Sequence, residues 1–195
     1  MVELLVVIAL IGLLAGLGSI SLRGNGGSLQ LSTAGSRCAG LLENARDSAV
    51  LQKVPVAVAI LPSHPQTMVA LAYQPDSKSW KRISNWETLP AGTIFDTDVY
   101  SDSNSALAQN APTISPALPA LTHKGTSYSP GGAGYGFLVF LPTGALQQSH
   151  SRPGMLRLTQ GIPEGDHFRK TGSAADYLDV CVNPSTGRLK IARME

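Results

Sequence analysis

The sequence predicts an α+β chain in which a long N-terminal helix, one half membrane-spanning and one half amphipathic, packs on an antiparallel β domain. Three observations carry this. From Leu4 to Leu22 there is no charge, and about 19 residues at about 1.5 Å each make a helix roughly 29 Å long, close to the thickness of a bilayer's hydrocarbon core. From Ser28 or Ser32 to Lys53, apolar residues recur at steps of three and four. Beyond Pro55 the chain falls into short extended runs separated by turn residues. The expected division is an apolar helix over 1–22, a flexible joint over 23–28 and a globular domain over 29–195, made of a helix over 29–53 and a β domain over 55–195.

The first stretch, MVELLVVIALIGLLAGLGSISL, admits three readings. A secretory signal peptide needs basic residues in front, a shorter apolar core and a small-residue cleavage site; here an acid stands in front, and only Ala15, Gly16, Gly18 and Ser19 resemble such a site. An ordinary membrane anchor leaves Glu3 unexplained. The third reading gives Glu3 a partner, because a carboxylate drawn to mid-bilayer costs on the order of 2.5–3.5 kcal/mol.

Arg23-Gly24-Asn25-Gly26-Gly27-Ser28 is a break, since each glycine disfavours helix by roughly 1 kcal/mol relative to alanine. In the amphipathic half, Leu31, Ala34, Cys38, Leu41, Leu42, Ala45 and Ala49 form one stripe, with Arg37, Glu43, Asn44, Arg46 and Asp47 off it. Glu43 and Asp47 repel weakly and Glu43–Arg46 compensates. Val54-Pro55 ends the helix, because the residue before proline is pushed to extended geometry.

The extended runs follow in order: Val56 to Leu61, Thr67 to Gln74, a Pro75–Lys78 turn, and Ser79 to Ser84 pairing back as a hairpin. Trp86-Glu87-Thr88-Leu89-Pro90-Ala91-Gly92 leads into Thr93 to Asp96, and Trp80 and Trp86 are expected to pack on the sheet. Ser101 to Gly134, with four prolines, reads as a long irregular segment and a surface special to this chain. Its glycines do not make a phosphate loop, which needs a strand before and a helix after. Tyr135 to Leu141 is the strongest strand, Met155 to Thr159 the next, and Gly161 to Ala174 reads as a polar loop. Tyr177 to Val182 alternates, Asn183–Gly187 turns, and Arg188 to Arg193 returns as the last strand. Cys181 alternates away from Leu178, Val180 and Val182. If those three face the helix, it points away from Cys38, so two free thiols are expected rather than a bond.

Composition bounds the function. The 195 residues are 43% hydrophobic and 14% charged, and the net charge of +2 is too small to argue a nucleic-acid partner from bulk charge. Removing the apolar stretch leaves about 170 residues, enough for one core. Two cysteines are too few for a disulfide scaffold. His64, His123, His150 and His167 stand alone, Asp166-His167 has no second ligand pair, and no nucleophile-elbow motif is present. The reading is a non-enzyme without a metal or cofactor.

The segment from Val2 to Ala15 closely resembles the N-terminus of type IV pilins and pseudopilins: the acid, the ELLVVIA run and the IGLLA that follows all match. Weaker likenesses follow in Glu43–Ala49 with Lys53-Val54-Pro55-Val56, in W..LP.G, in F.PTGAL and in DVCVNPSTGRLKI; these resemble H-type minor pseudopilins and T-type fimbrial minor pilins. The stretches YQPDSKSW and W..LP.G also resemble pilin-like members of multi-gene cassettes in verrucomicrobial bacteria. The resemblance implies a pilin fold and a minor structural subunit of a type II secretion pseudopilus or type IV pilus-like filament. Its helix sits first in the inner membrane, single-pass with a periplasmic domain, and then packs in a filament core. It implies Glu3 as the assembly residue, pairing with a neighbour's terminal amine. It implies other pilin or pseudopilin subunits and an inner-membrane assembly platform as partners. Prepilin peptidase is a further partner for a precursor that carries the basic leader; Met1 stands where the family has an aliphatic residue. T-type relatives that bind DNA through basic C-terminal residues supply an alternative, a membrane-anchored DNA-binding minor pilin, with Arg188, Lys190 and Arg193 as contacts and Arg152, Arg157, Arg169 and Lys170 nearby.

Overall fold

The structure is a computed structural model and describes residues 26–61, 67–96, 117–130, 135–147, 154–164, 167–172 and 176–193. Glu3, the uncharged stretch 4–22 and the first half of the expected joint lie outside these residues. Among the described residues one helix, α1 (Gly26–Gln52), precedes all the strands. It begins at Gly26, so two glycines assigned to the joint are helical. The expected stripe is the buried one: Leu31, Ala34, Cys38, Leu41, Leu42, Ala45 and Ala49 are all within the core. The helix stops at Lys53, which takes φ 56 in the left-handed region, followed by Pro55.

Two antiparallel sheets pack against α1. The first contains β1 (Val56–Ile60), β2 (Thr67–Gln74), β3 (Ser79–Arg82), β4 (Glu87–Thr88) and β8 (Gly136–Phe140), in the order β3-β2-β1-β8 with β4 pairing β2. The second contains β5 (Thr93–Phe95), β9 (Gly154–Glu164), β10 (His167–Lys170), β11 (Tyr177–Val182) and β12 (Leu189–Arg193), in the order β10-β9-β11-β12 with β5 pairing β9. A separate hairpin joins β6 (Leu121–His123) to β7 (Thr126–Tyr128). Its two-residue turn has positive φ at both Lys124 and Gly125, the geometry that matches strand twist.

The main core lies between α1 and the sheets. Val56, Val58, Ile60, Met68, Ala70, Leu138 and Phe140 from the first sheet meet the helix stripe there, with Leu156, Leu158, Leu178, Val180 and Val182 from the second. The helix also lies close on the second sheet at Gly35, where an added Cβ would stand 2.7 Å from Leu178 Cδ2. A second core forms on the other face of the first sheet. Ala57, Ala59, Leu61, Val69, Leu71 and Val139 are covered by Leu118, Leu121, Tyr128 and Tyr135, with Trp80, Trp86 and Phe137 at the margin. Strand β1 is thus buried on both faces, which is why VAVAI shows no polar alternation.

Two expectations are corrected. The segment expected to be irregular from Ser101 to Gly134 contains β6 and β7, and its part over 117–130 covers a sheet face. The apolar residues that do this are too few and too interrupted by proline and glycine for periodicity to register. The expected polar loop from Gly161 to Ala174 is largely a hairpin: β9 runs to Glu164 and pairs with β10, Phe168 opposite Pro163. Proline is tolerated there because Gly161 N donates to Gly92 O on the side away from β10. Strand alternation directs the Pro163 nitrogen to that same side, where the ladder asks for no donor.

Candidate functional site

With its inner face filled, α1 leaves an outward stripe. Leu29, Thr33, Ser36, Gly40, Glu43, Asp47 and Leu51 succeed one another at helical spacing on the side away from both sheets. Leu29 is 70% exposed and Leu51 81% exposed, one near each end of the stripe. The middle of the stripe is small: the Thr33 hydroxyl bonds back to Leu29 O at 2.8 Å, and a Cβ added at Gly40 would meet nothing within 4 Å.

On its flank the helix is tied to both sheets by Arg46. Arg46 Nε donates to Thr186 O at 3.0 Å. The guanidinium lies against two glycines with positive φ, Gly144 (φ 82) and Gly187 (φ 63). The turns that carry them are joined by Leu146 N donating to Pro184 O at 2.8 Å. A Cβ at Gly187 would stand on the Gly144 carbonyl oxygen. The second turn is set by Asn183, whose Oδ1 accepts from the nitrogens of Ser185 and Thr186 at 3.0 and 3.1 Å. Three short motifs, around Arg46, Gly144 and Gly187, are far apart in sequence and therefore meet at one point only in the fold. Spacing cannot reveal this convergence; the only sequence signal was that all three carry the same family likeness.

The basic residues divide into two groups. Arg157 donates from Nε and Nη2 to Asp179 at 2.8 and 3.0 Å, a bidentate pair, and its guanidinium lies 3.7 Å from the Tyr177 ring centroid. The hydrogen bonds to Asp179 hold the Arg157 pKa above its ordinary value, against the opposing effect of burial. Arg169 pairs with Glu164 at 3.1 Å and Lys170 with Asp96 at 2.7 Å. Arg188, Lys190 and Arg193 are exposed, and none of them makes an ion pair within the described residues. Lys190 is opposite Cys181 and Arg193 opposite Leu178. Since neighbours along β11 point to opposite faces, Lys190 lies on the outer face and Arg193 on the helix face. The structure does not gather the three on one face.

Both cysteines are free. Cys38 is fully buried on the helix stripe, and burial pushes its thiol up to about 12. Cys181 lies on the outer face; its pKa is raised by burial first and by Asp179 second, with Lys190 and Arg157 pulling the other way. His123 packs on Trp86 with ring centroids 4.5 Å apart. Within the described residues no cluster of three or more His, Cys, Asp or Glu is placed to hold a metal ion, and no helix is long and apolar enough to cross a membrane. His64, His150 and Arg152, like Glu3, lie outside the described residues.

Residues 19–186 match the family model of type II transport protein GspH. Two solved structures of the minor pseudopilin EpsH from the type 2 secretion system of Vibrio cholerae are also similar. One is 14% identical, with 84% of this chain and 97% of that chain covered, and the other 15% identical, with 85% and 95% covered; the TM-score is 0.47 for each. No curated protein matches the chain.

Proposed function

The chain belongs to the type II transport protein GspH family, and from that premise we propose how this minor pseudopilin enters its filament. Its work is structural: its partners are other pseudopilin subunits of the type II secretion system, in a filament of the cell envelope. Before assembly the uncharged stretch 4–22 holds the subunit in the inner membrane as a single-pass helix, with the globular domain in the periplasm. Prepilin peptidase trims a leader-bearing precursor, and an inner-membrane platform extracts the subunit. Glu3 then neutralises the terminal amine of a neighbour, which gives an otherwise costly acid its reason.

The observation that carries this reading is Gly40. A glycine inside a helix costs roughly 1 kcal/mol relative to alanine. At Gly35 the close approach of Leu178 accounts for that cost; at Gly40 nothing among the described residues does, because a Cβ there meets nothing within 4 Å. Such a glycine, midway along an outward stripe, suits the close approach of a neighbouring helix. The test is Gly40→Phe, assayed for folding in isolation and for incorporation into pseudopili in cells. Unchanged melting with reduced incorporation supports the reading; incorporation equal to wild type refutes it.

A further inference from the structure

Among the described residues, the far edge of the second sheet is open. Strand β12 pairs with β11, and within the described residues no other strand pairs with it. The hydrogen bond from Asn183 N to Arg188 O sets the phase of the ladder. In an antiparallel pair the bonded positions alternate, so the amides of Lys190 and Ala192 turn inward and those of Leu189, Ile191 and Arg193 turn to the free edge. Ile191 at the centre is 45% exposed although its cross-strand partner Val180 is fully buried. Lys190 and Arg193 flank it, one on each face of the sheet and neither in an ion pair among the described residues.

We infer that β12 is a docking edge that accepts an extended acidic segment of a partner protein as an added antiparallel strand. The charge arrangement selects this occupant. A ligand resting on one face reaches Lys190 or Arg193 but not both, which disfavours a nucleic-acid backbone. An added strand straddles the edge and sends successive side chains to opposite faces. A second copy of β12 would bring more positive charge to an already basic edge, so lysine and arginine here guard against self-pairing. The register specifies the partner: an acid opposite Arg193, a small residue opposite Ala192, an apolar residue opposite Ile191 and an acid opposite Lys190. This docking edge stands independently of the filament reading, since it uses neither Glu3 nor the outward stripe of α1.

The test uses the full chain in detergent and a labelled peptide with the core Glu-Thr-Val-Glu-Val, followed by fluorescence anisotropy and amide hydrogen exchange. Saturable binding is expected, with exchange slowed about tenfold or more at Leu189, Ile191 and Arg193 and unchanged at Lys190 and Ala192. Reversing both charges with Lys190→Glu and Arg193→Glu should weaken binding at least about tenfold. Ile191→Pro should abolish it, because it removes an outward donor that the fold itself does not use. If Ile191→Pro misfolds, the exchange pattern of the wild-type chain decides. Binding without slowing at those three amides, equal binding of a peptide with lysine in place of glutamate, or no peptide binding beside tight binding of a short DNA duplex would each overturn the proposal.

Discussion

Replacing Gly187 by alanine should destabilise the domain through the point where α1 is tied to both sheets. Gly187 has φ 63, and an alanine held there costs about 1–2 kcal/mol. Its Cβ would stand on the Gly144 carbonyl oxygen and 3.2 Å from Arg46 Nε, so the two turns must part or the arginine must move. Moving it endangers the 3.0 Å bond to Thr186 O. That is a charge-assisted bond on a side chain 29% exposed, and after allowance for solvent it contributes about 1 kcal/mol. The sum is about 2–3 kcal/mol, or about 4–12 °C in melting temperature for a domain of this size. Urea denaturation of the full chain in detergent measures it. Arg46→Met alone should cost about 1 kcal/mol, and Gly187→Ala made in that background should cost correspondingly less, since the bond is already gone. A Gly187→Ala variant within about 0.5 kcal/mol of wild type, or strict additivity with Arg46→Met, would refute this account of the tie.

Other outcomes follow from the same geometry. Gly40→Ala should stabilise the isolated subunit by about 1 kcal/mol in urea denaturation, because the added methyl meets nothing and helix propensity improves. Asp179→Ala should cost about 2 kcal/mol, less than a fully buried pair because Arg157 keeps some solvent, and Arg157→Met added to it should recover part of the loss. Cys38 should resist alkylation until the protein unfolds, since its thiol is buried. Its pKa is raised from 9.0 to about 12 by burial, so its contribution to stability is full below pH 9 and is lost as pH rises toward 12. Denaturation from pH 8 to 11 should therefore show a shallower decline for Cys38→Ala than for wild type.

The parts legible from sequence were those written in a local code. The α1 stripe obeys a 3.6-residue period, and all seven of its expected apolar positions are buried. The strands over 56–60, 67–74, 136–140 and 177–182 follow from β-branched and aromatic runs bounded by turns. What escaped was set by distant partners. Pro163 reads as a loop until the neighbouring strand shows which side of β9 needs no donor. Leu118, Leu121 and Tyr128 read as scattered residues in a proline-rich segment until the first sheet offers them a face. Arg46 reads as a solvated helix charge, and only folding reveals that Gly144 and Gly187 wait beside it. Among the basic residues, pairing could not be anticipated: Arg157, Arg169 and Lys170 are matched with acids from other positions, whereas Arg188, Lys190 and Arg193 make no ion pair among the described residues.

The central claim is that this subunit is built into a pseudopilus with Glu3 as the group that pairs with a neighbour. Its most direct test is the amount of Glu3→Ala subunit, relative to wild type and Glu3→Asp, recovered in pseudopili sheared from cells that express the other pseudopilins. The account predicts a loss of about tenfold or more for Glu3→Ala, equivalent to ~1.4 kcal/mol or more of lost pairing, and partial retention by Glu3→Asp. Recovery of Glu3→Ala at the wild-type level would contradict it.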